Sequence, residues 1–145
     1  MFKHILIPTD GSKLSMNAVR AAITFAQEAG AEVTLLAVTA PFHMLAGNSE
    51  EVEAARLEHE TNADTHCQQF LNEAVLKARQ CGVSCETVHV EHDDIYRAII
   101  DTAKDRSCDL IAMASHGRRG LSAVLVGSVT LQVLSHSRIP VLVYR

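Results

Sequence analysis

Short, almost continuous apolar runs separated by helix-length amphipathic segments constrain this chain more than any other feature. Ile5-Leu6-Ile7, Val33 to Val38, Leu110 to Met113 and Val141 to Val143 are each nearly free of polar residues. Strands of this kind are buried on both faces, as in parallel sheets covered by helices. Between them, Leu14, Ala18, Ala21, Ala22, Phe25 and Ala29 recur at helical spacing. The reading is five strands alternating with four helices: an α/β, doubly wound, five-stranded parallel sheet with helices on both faces.

The predicted strands are Phe2 to Ile7, Val33 to Val38, Val83 to Val90, Asp109 to Ala114 and Ile139 to Tyr144. The first helix opens at Gly11 or Ser12 and ends at Gly30. The second runs from Ser49 to Gln80, with Asn48 and Glu51 as a capping box. Its first half, Glu50 to Asp64, is acidic and reads as solvated or as the edge of a lid. Asp93 is expected to cap the third helix, and the fourth spans Ser128 to Ser137. The 145 residues suit one domain, 1–145, without internal repeats or linkers. Aromatic residues make up only 4% of the chain, so the core must be built from Ala, Val, Leu and Ile.

Composition removes several function classes. A formal net charge of -4 argues against general binding to nucleic acid or anionic membrane. No signal peptide or membrane-length apolar stretch is visible, so a cytoplasmic protein is expected. Cys67, Cys81, Cys85 and Cys108 form no CxxC pair and read as reduced structural thiols. Of eight histidines, only His89 and His92 approach ligand spacing, and no metal site is expected. Neither a Gly-x-Ser-x-Gly elbow nor a Ser–His–acid set is present, so no catalytic machinery is evident.

The chemistry-bearing residues follow strand ends. After the fourth strand come Ser115-His116-Gly117, nine further residues and then Gly127-Ser128 at a helix start. Glycine permits close backbone approach, and a helix start offers unpaired N–H groups with partial positive charge, which together suit a phosphate. Arg118 and Arg119 add cationic donors, and His116 can approach a phosphate or sugar. The competing reading is a plain turn and N-cap. Asp10, at the mouth of the first strand, can hold ribose hydroxyls or a divalent cation, or can simply form the Thr9-Asp10-Gly11-Ser12 turn. Val38 can offer backbone groups to a base edge, or serve only as core.

With these residues laid out, the chain resembles the universal stress protein family over essentially its whole length. Lys3 to Ser12, Leu35 to Val38, Asp109 to Gly120, Gly127-Ser128-Val129 and Ile139 to Val143 carry the likeness. The family's ATP-binding branch is marked by Gly, two residues, Gly, nine residues, then Gly with Ser or Thr. This chain departs from it at Ala114, in the first glycine position. If the backbone there is extended, the added methyl is a mild change; if a ribose packs against it, affinity falls.

The resemblance implies strand order 3-2-1-4-5 and an ATP site. Pro8, Thr9 and Asp10 would line the adenosine end, and Val38 would meet adenine through its backbone. Met113 and Ala114 would flank the sugar; His116, Gly117 and Arg118 would border the phosphates. Gly127, Ser128, Val129 and Thr130 would present the helix start to them. Mg or Mn would bridge the phosphates, and the C-terminal edge strand, Pro140 to Tyr144, would pair two copies as a homodimer.

The leading expectation is an ATP-binding sensor or switch in stress response, acting on an unidentified protein partner. Two alternatives stay open. One is a slow ATPase or self-phosphorylating protein, with Ser128 as an acceptor; the other is an interaction protein of the same fold that holds no nucleotide. Other doubly wound folds fit worse. A receiver domain needs an acidic pair where only Asp10 stands, a flavodoxin needs a hydroxyl- and glycine-rich first loop, and a dinucleotide fold puts its glycines after the first strand.

Overall fold

The computed structural model describes residues 1–43, 47–116 and 126–145. Its elements are β1 (His4–Pro8), α1 (Lys13–Ala29), β2 (Glu32–Thr39), α2 (Ser49–Gln80), β3 (Cys85–Glu91), α3 (Ile95–Asp105), β4 (Leu110–Ala114), α4 (Ser128–His136) and β5 (Val141–Tyr144). All ladders are parallel and the order is β3-β2-β1-β4-β5. In register, Ile5 lies between Val33 and Leu110, and Met113 lies beside Val143.

Alternate strand residues point to opposite faces, and each face has its own core. Ile5, Ile7, Val33, Leu35 and Ala112 pack with Val19, Ile23 and Ala26 of α1 and with Phe70, Leu71 and Ala74 of α2. Leu6, Leu36, Ile111 and Met113 pack with Ile99 and Ala103 of α3 and Val133 of α4. The inner strands are therefore buried on both sides, as their unbroken apolar runs require.

Helix ends follow local chemistry. Ser12 caps α1, its hydroxyl accepting the Ser15 N–H, and Gly30 closes it in the left-handed conformation. Asn48 and Glu51 form the expected capping box on α2. Several expected boundaries are corrected. β1 begins at His4, where the Asp109 carboxylate accepts the N–H groups of both Lys3 and His4, and it runs through Pro8. β3 begins at Cys85 because the Val83 N–H turns back to the Ala78 carbonyl, closing α2. Asp94, not Asp93, precedes α3; Asp93 instead pairs with His43 at 2.9 Å. α4 ends at His136 because the Ser137 hydroxyl takes the Ile139 N–H and donates to its carbonyl, a local turn. β5 therefore begins only after Pro140, at Val141.

Leaving β1, the chain builds β2 and β3 to one side and β4 and β5 to the other. The carboxyl ends of β1 and β4 thus flank the point where strand order reverses, the place where such sheets open a crevice.

Candidate functional site

The first wall is the turn from β1 into α1. The Thr9 N–H is held by the Leu36 carbonyl at 2.9 Å, and the Thr9 and Ser15 hydroxyls share a buried hydrogen bond of 2.7 Å. Asp10 accepts the Ser12 N–H at 2.9 Å, an Asx turn that fixes its carboxylate at the mouth of the strand. Gly11 has φ +78°, and a Cβ there would stand 2.2 Å from the Phe70 ring. The turn can sit under α2 only because that residue has no side chain.

The second wall is the end of β4 with the start of α4. The Ser115 N–H is held by the Tyr144 carbonyl, and the Gly127 N–H by the Ser115 carbonyl, both at 2.7 Å. The Thr130 hydroxyl, buried, donates to the Ala114 carbonyl at 3.0 Å. Gly127 is the N-cap of α4, and among the described residues no side chain caps the helix. Its first intrahelical bond runs from the Leu131 N–H to the Gly127 carbonyl, so the N–H groups of Ser128, Val129 and Thr130 belong to the open first turn. A Cβ on Gly127 would lie 3.2 Å from the Ser115 carbonyl oxygen and 3.4 Å from His116 Cα. The glycine thus serves the close approach of two protein segments. Ala114 is the last residue of β4, paired with Tyr144, and its extended backbone accommodates the alanine methyl.

Between these walls lies a crevice of about 630 Å³, within the range of small-molecule sites. Pro8, Thr9, Asp10, Val38, Met113, Ala114, His116, Gly127, Ser128, Val129 and Thr130 all line it. Gly117 and Arg118 lie outside the described residues, as does Arg119.

Sequence reasoning missed the third wall, the face of α2 formed by His59, Ala63, His66, Cys67 and Phe70. His59 donates from Nε2 to the Ala40 carbonyl at 3.3 Å and sits against the Phe42 ring. The His66 and Phe70 rings meet edge to face, 5.4 Å between centroids. The spacing of these five positions is a helical stripe and was the available signal; the surrounding charge masked it. Ile95 and Ile99 of α3 complete the apolar lining.

Among the described residues, no cluster of His, Cys, Asp or Glu is suited to hold a metal ion, and none of the lining residues is Lys or Arg. His116 is nine-tenths buried; its Nδ1 lies 2.9 Å from the Ser115 hydroxyl, and its Nε2 has no hydrogen-bond partner among the described residues. Cys85 and Cys108 lie away from the crevice, and burial, aided by nearby Glu86, pushes both thiols up to about 11. They are poor nucleophiles near neutral pH.

A model of the universal stress protein family matches residues 1–145. The chain is 34% identical to universal stress protein MJ0531 of Methanocaldococcus jannaschii, over all of this chain and 83% of that one. It is 31% identical to universal stress protein YxiE of Bacillus subtilis over the full length of both. In structure it resembles MJ0577, also of M. jannaschii, with a TM-score of 0.81 and 29% identity over 99% of this chain and 95% of that one. The fold is shared by a universal stress protein in complex with cAMP (TM-score 0.72, 21% identity, 99% and 97% coverage) and by one from Archaeoglobus fulgidus in complex with dAMP (0.66, 18%, 100% and 98%).

Proposed function

The chain belongs to the universal stress protein family, and from that premise we propose that it binds ATP in the crevice and works as a nucleotide-dependent switch. One observation carries the reading: Asp10 and the open first turn of α4 face a single crevice at the point where strand order reverses. The donor set suits a nucleotide. A carboxylate is suited to ribose hydroxyls, and Val38, packed against Leu36 and Ile99, offers apolar lining that would keep a base dry. The α4 amides and macrodipole suit phosphate oxygens. Two proteins of this fold are described with adenine nucleotides, cAMP and dAMP, which supports the same ligand class here.

In this reading Asp10 orients the sugar while Met113 and Ala114 flank it. Ser128 adds a hydroxyl beside the amides, and Gly127, Val129 and Thr130 hold the helix start in place. Gly117 and Arg118 would border the phosphates. A magnesium or manganese ion accompanying the nucleotide would neutralise phosphate charge; among the described residues no cluster of His, Cys, Asp or Glu is suited to hold it. Nucleotide contact with the β1–α1 turn, α4 and α2 together would favour one arrangement of those elements, and a partner could read that shift.

Calorimetric titration with ATP in the presence of magnesium tests the proposal. Saturable heat that weakens in Asp10→Asn is expected; absence of binding up to millimolar ATP would sink it.

A further inference from the structure

We propose that nucleotide binding in this crevice is proton-linked, with His116 taking up the proton; the inference rests on the ATP-binding reading above. A polyphosphate brings several negative charges to a wall that, among the described residues, contains no Lys or Arg. The ionisable side chains lining the crevice are Asp10 from the β1–α1 turn, His59, His66 and Cys67 from α2, and His116 after β4. From β5, Tyr144 lies beside Ser115 through its backbone, and burial keeps its phenol neutral by raising its pKa. α3 and α4 present Ile95, Ile99, Ser128 and Thr130, none of which is ionisable near neutral pH. Arg118 lies outside the described residues. Among the described residues, imidazoles are the groups of this wall that can carry positive charge.

His116 is the imidazole placed beside the helix start. A Cβ added to Gly127, the N-cap of α4, would come within 3.9 Å of its ring. The ring has one committed nitrogen, Nδ1 at 2.9 Å from Ser115 Oγ, and one buried nitrogen, Nε2, without a partner among the described residues. Leaving a buried polar atom unpaired costs about 1–3 kcal/mol. A phosphate oxygen near α4 would change both terms. As an imidazolium, His116 donates from Nδ1 to the Ser115 hydroxyl oxygen and from Nε2 to the phosphate, and every polar atom of the ring is satisfied. Nearby negative charge favours the charged form. Imidazolium and phosphate would therefore stabilise each other.

The sign follows from the bound state holding the proton more tightly. The extra affinity is fully present below the free ring's pKa and is lost as pH rises through that of the complex. In the window between them, each unit of acidification tightens binding by up to about tenfold.

Calorimetry of ATP binding in buffers of different ionisation enthalpy counts the protons taken up. The wild type should take up more than His116→Gln, and His66→Gln should behave as wild type. The nucleotide's own titration is common to all three proteins and cancels in the difference. Should His116→Gln fold poorly, histidine ring resonances of the wild type followed by NMR against pH give the same answer. His116 should then titrate at higher pH with ATP present, while His4 at the start of β1 and His136 at the end of α4 stay put. If ATP binds and His116→Gln takes up as many protons as the wild type, or the His66 ring shifts instead, this inference is overturned and the ATP-binding reading stands. If ATP gives no heat at all, both fall.

Discussion

Two glycines in the left-handed conformation separate strain from crowding. Gly11 and Gly30 have φ of +78° and +65°, but a Cβ on Gly30 would meet nothing within 4 Å whereas one on Gly11 would enter the Phe70 ring. Gly30→Ala should cost about 1 kcal/mol, the backbone term alone. Gly11→Ala should cost roughly 2–4 kcal/mol, because Phe70 and its stretch of α2 must also move. Urea denaturation would show the difference as separate midpoints with a common slope, and only Gly11→Ala should weaken ATP binding. Equal losses in the two variants would mean that Phe70 yields freely and that the α2 wall is not seated on the turn. Residue by residue, the site was legible where chemistry is local. Asp10, Val38, Met113 and Gly127 all line the crevice; Asp10, Val38 and Gly127 stood out by lying near a strand end or a helix start, Met113 only through the family resemblance. The role of Gly127 was only half legible: its spacing suggested contact with a ligand, and the structure shows it opposing the Ser115 carbonyl and His116. That contact depends on how the end of β4 faces α4, which no local pattern encodes.

At the level of elements, α2 shows how charge can hide a face. Its first half lacks buried residues, and local devices keep it helical: the Asn48–Glu51 capping box, Glu50 and Glu51 at the positive end of the dipole, and Arg56 paired with Glu60 at 2.7 Å. Its second half buries Cys67, Phe70, Leu71, Ala74 and Ala78. The two halves should therefore open independently. Asn48→Ala removes the cap at a cost of about 1 kcal/mol. Hydrogen exchange should speed up roughly fivefold over residues 52–63 and hardly change beyond Cys67. A uniform change along the helix would mean that α2 opens as one unit, with its polar half carried by the crevice wall. The same division explains what was legible. Capping chemistry gave both ends of α2, and core spacing gave its buried half. The crevice stripe of His59, Ala63 and His66 lies among glutamates, and only the neighbouring β2 and β1 ends turn it into a wall. Strand limits shifted for a related reason: at the start of β5 the Ser137 hydroxyl captures the Ile139 N–H that the apolar pattern assigns to the ladder.

Across the whole molecule, the sheet has two edges of opposite character. β3 carries Glu86, His89 and Glu91, with Glu86 bridged to Arg106 at 3.0 Å, and charge of this kind discourages pairing. β5 offers Val141, Leu142, Val143 and Tyr144, each half-buried in the single chain, and α4, which packs against it, leaves Leu131 and Leu134 exposed. Strand order and crevice position followed from the apolar pattern joined to the family resemblance, but nothing in the alternation of strands and helices distinguishes a β5 closed by a second copy from one open to solvent. The apolar edge argues for closure: we propose that two copies pair through β5 about a two-fold axis, the commonest symmetry of homo-oligomers. Sedimentation equilibrium should then give twice the chain mass. Val143→Pro, which removes a ladder N–H and distorts the edge, should shift the mass toward one chain while α-helical content is kept. A wild-type protein that stays at the mass of a single chain as its concentration is raised would leave β5 as a solvated edge, and the contrast between the two edges would need another cause.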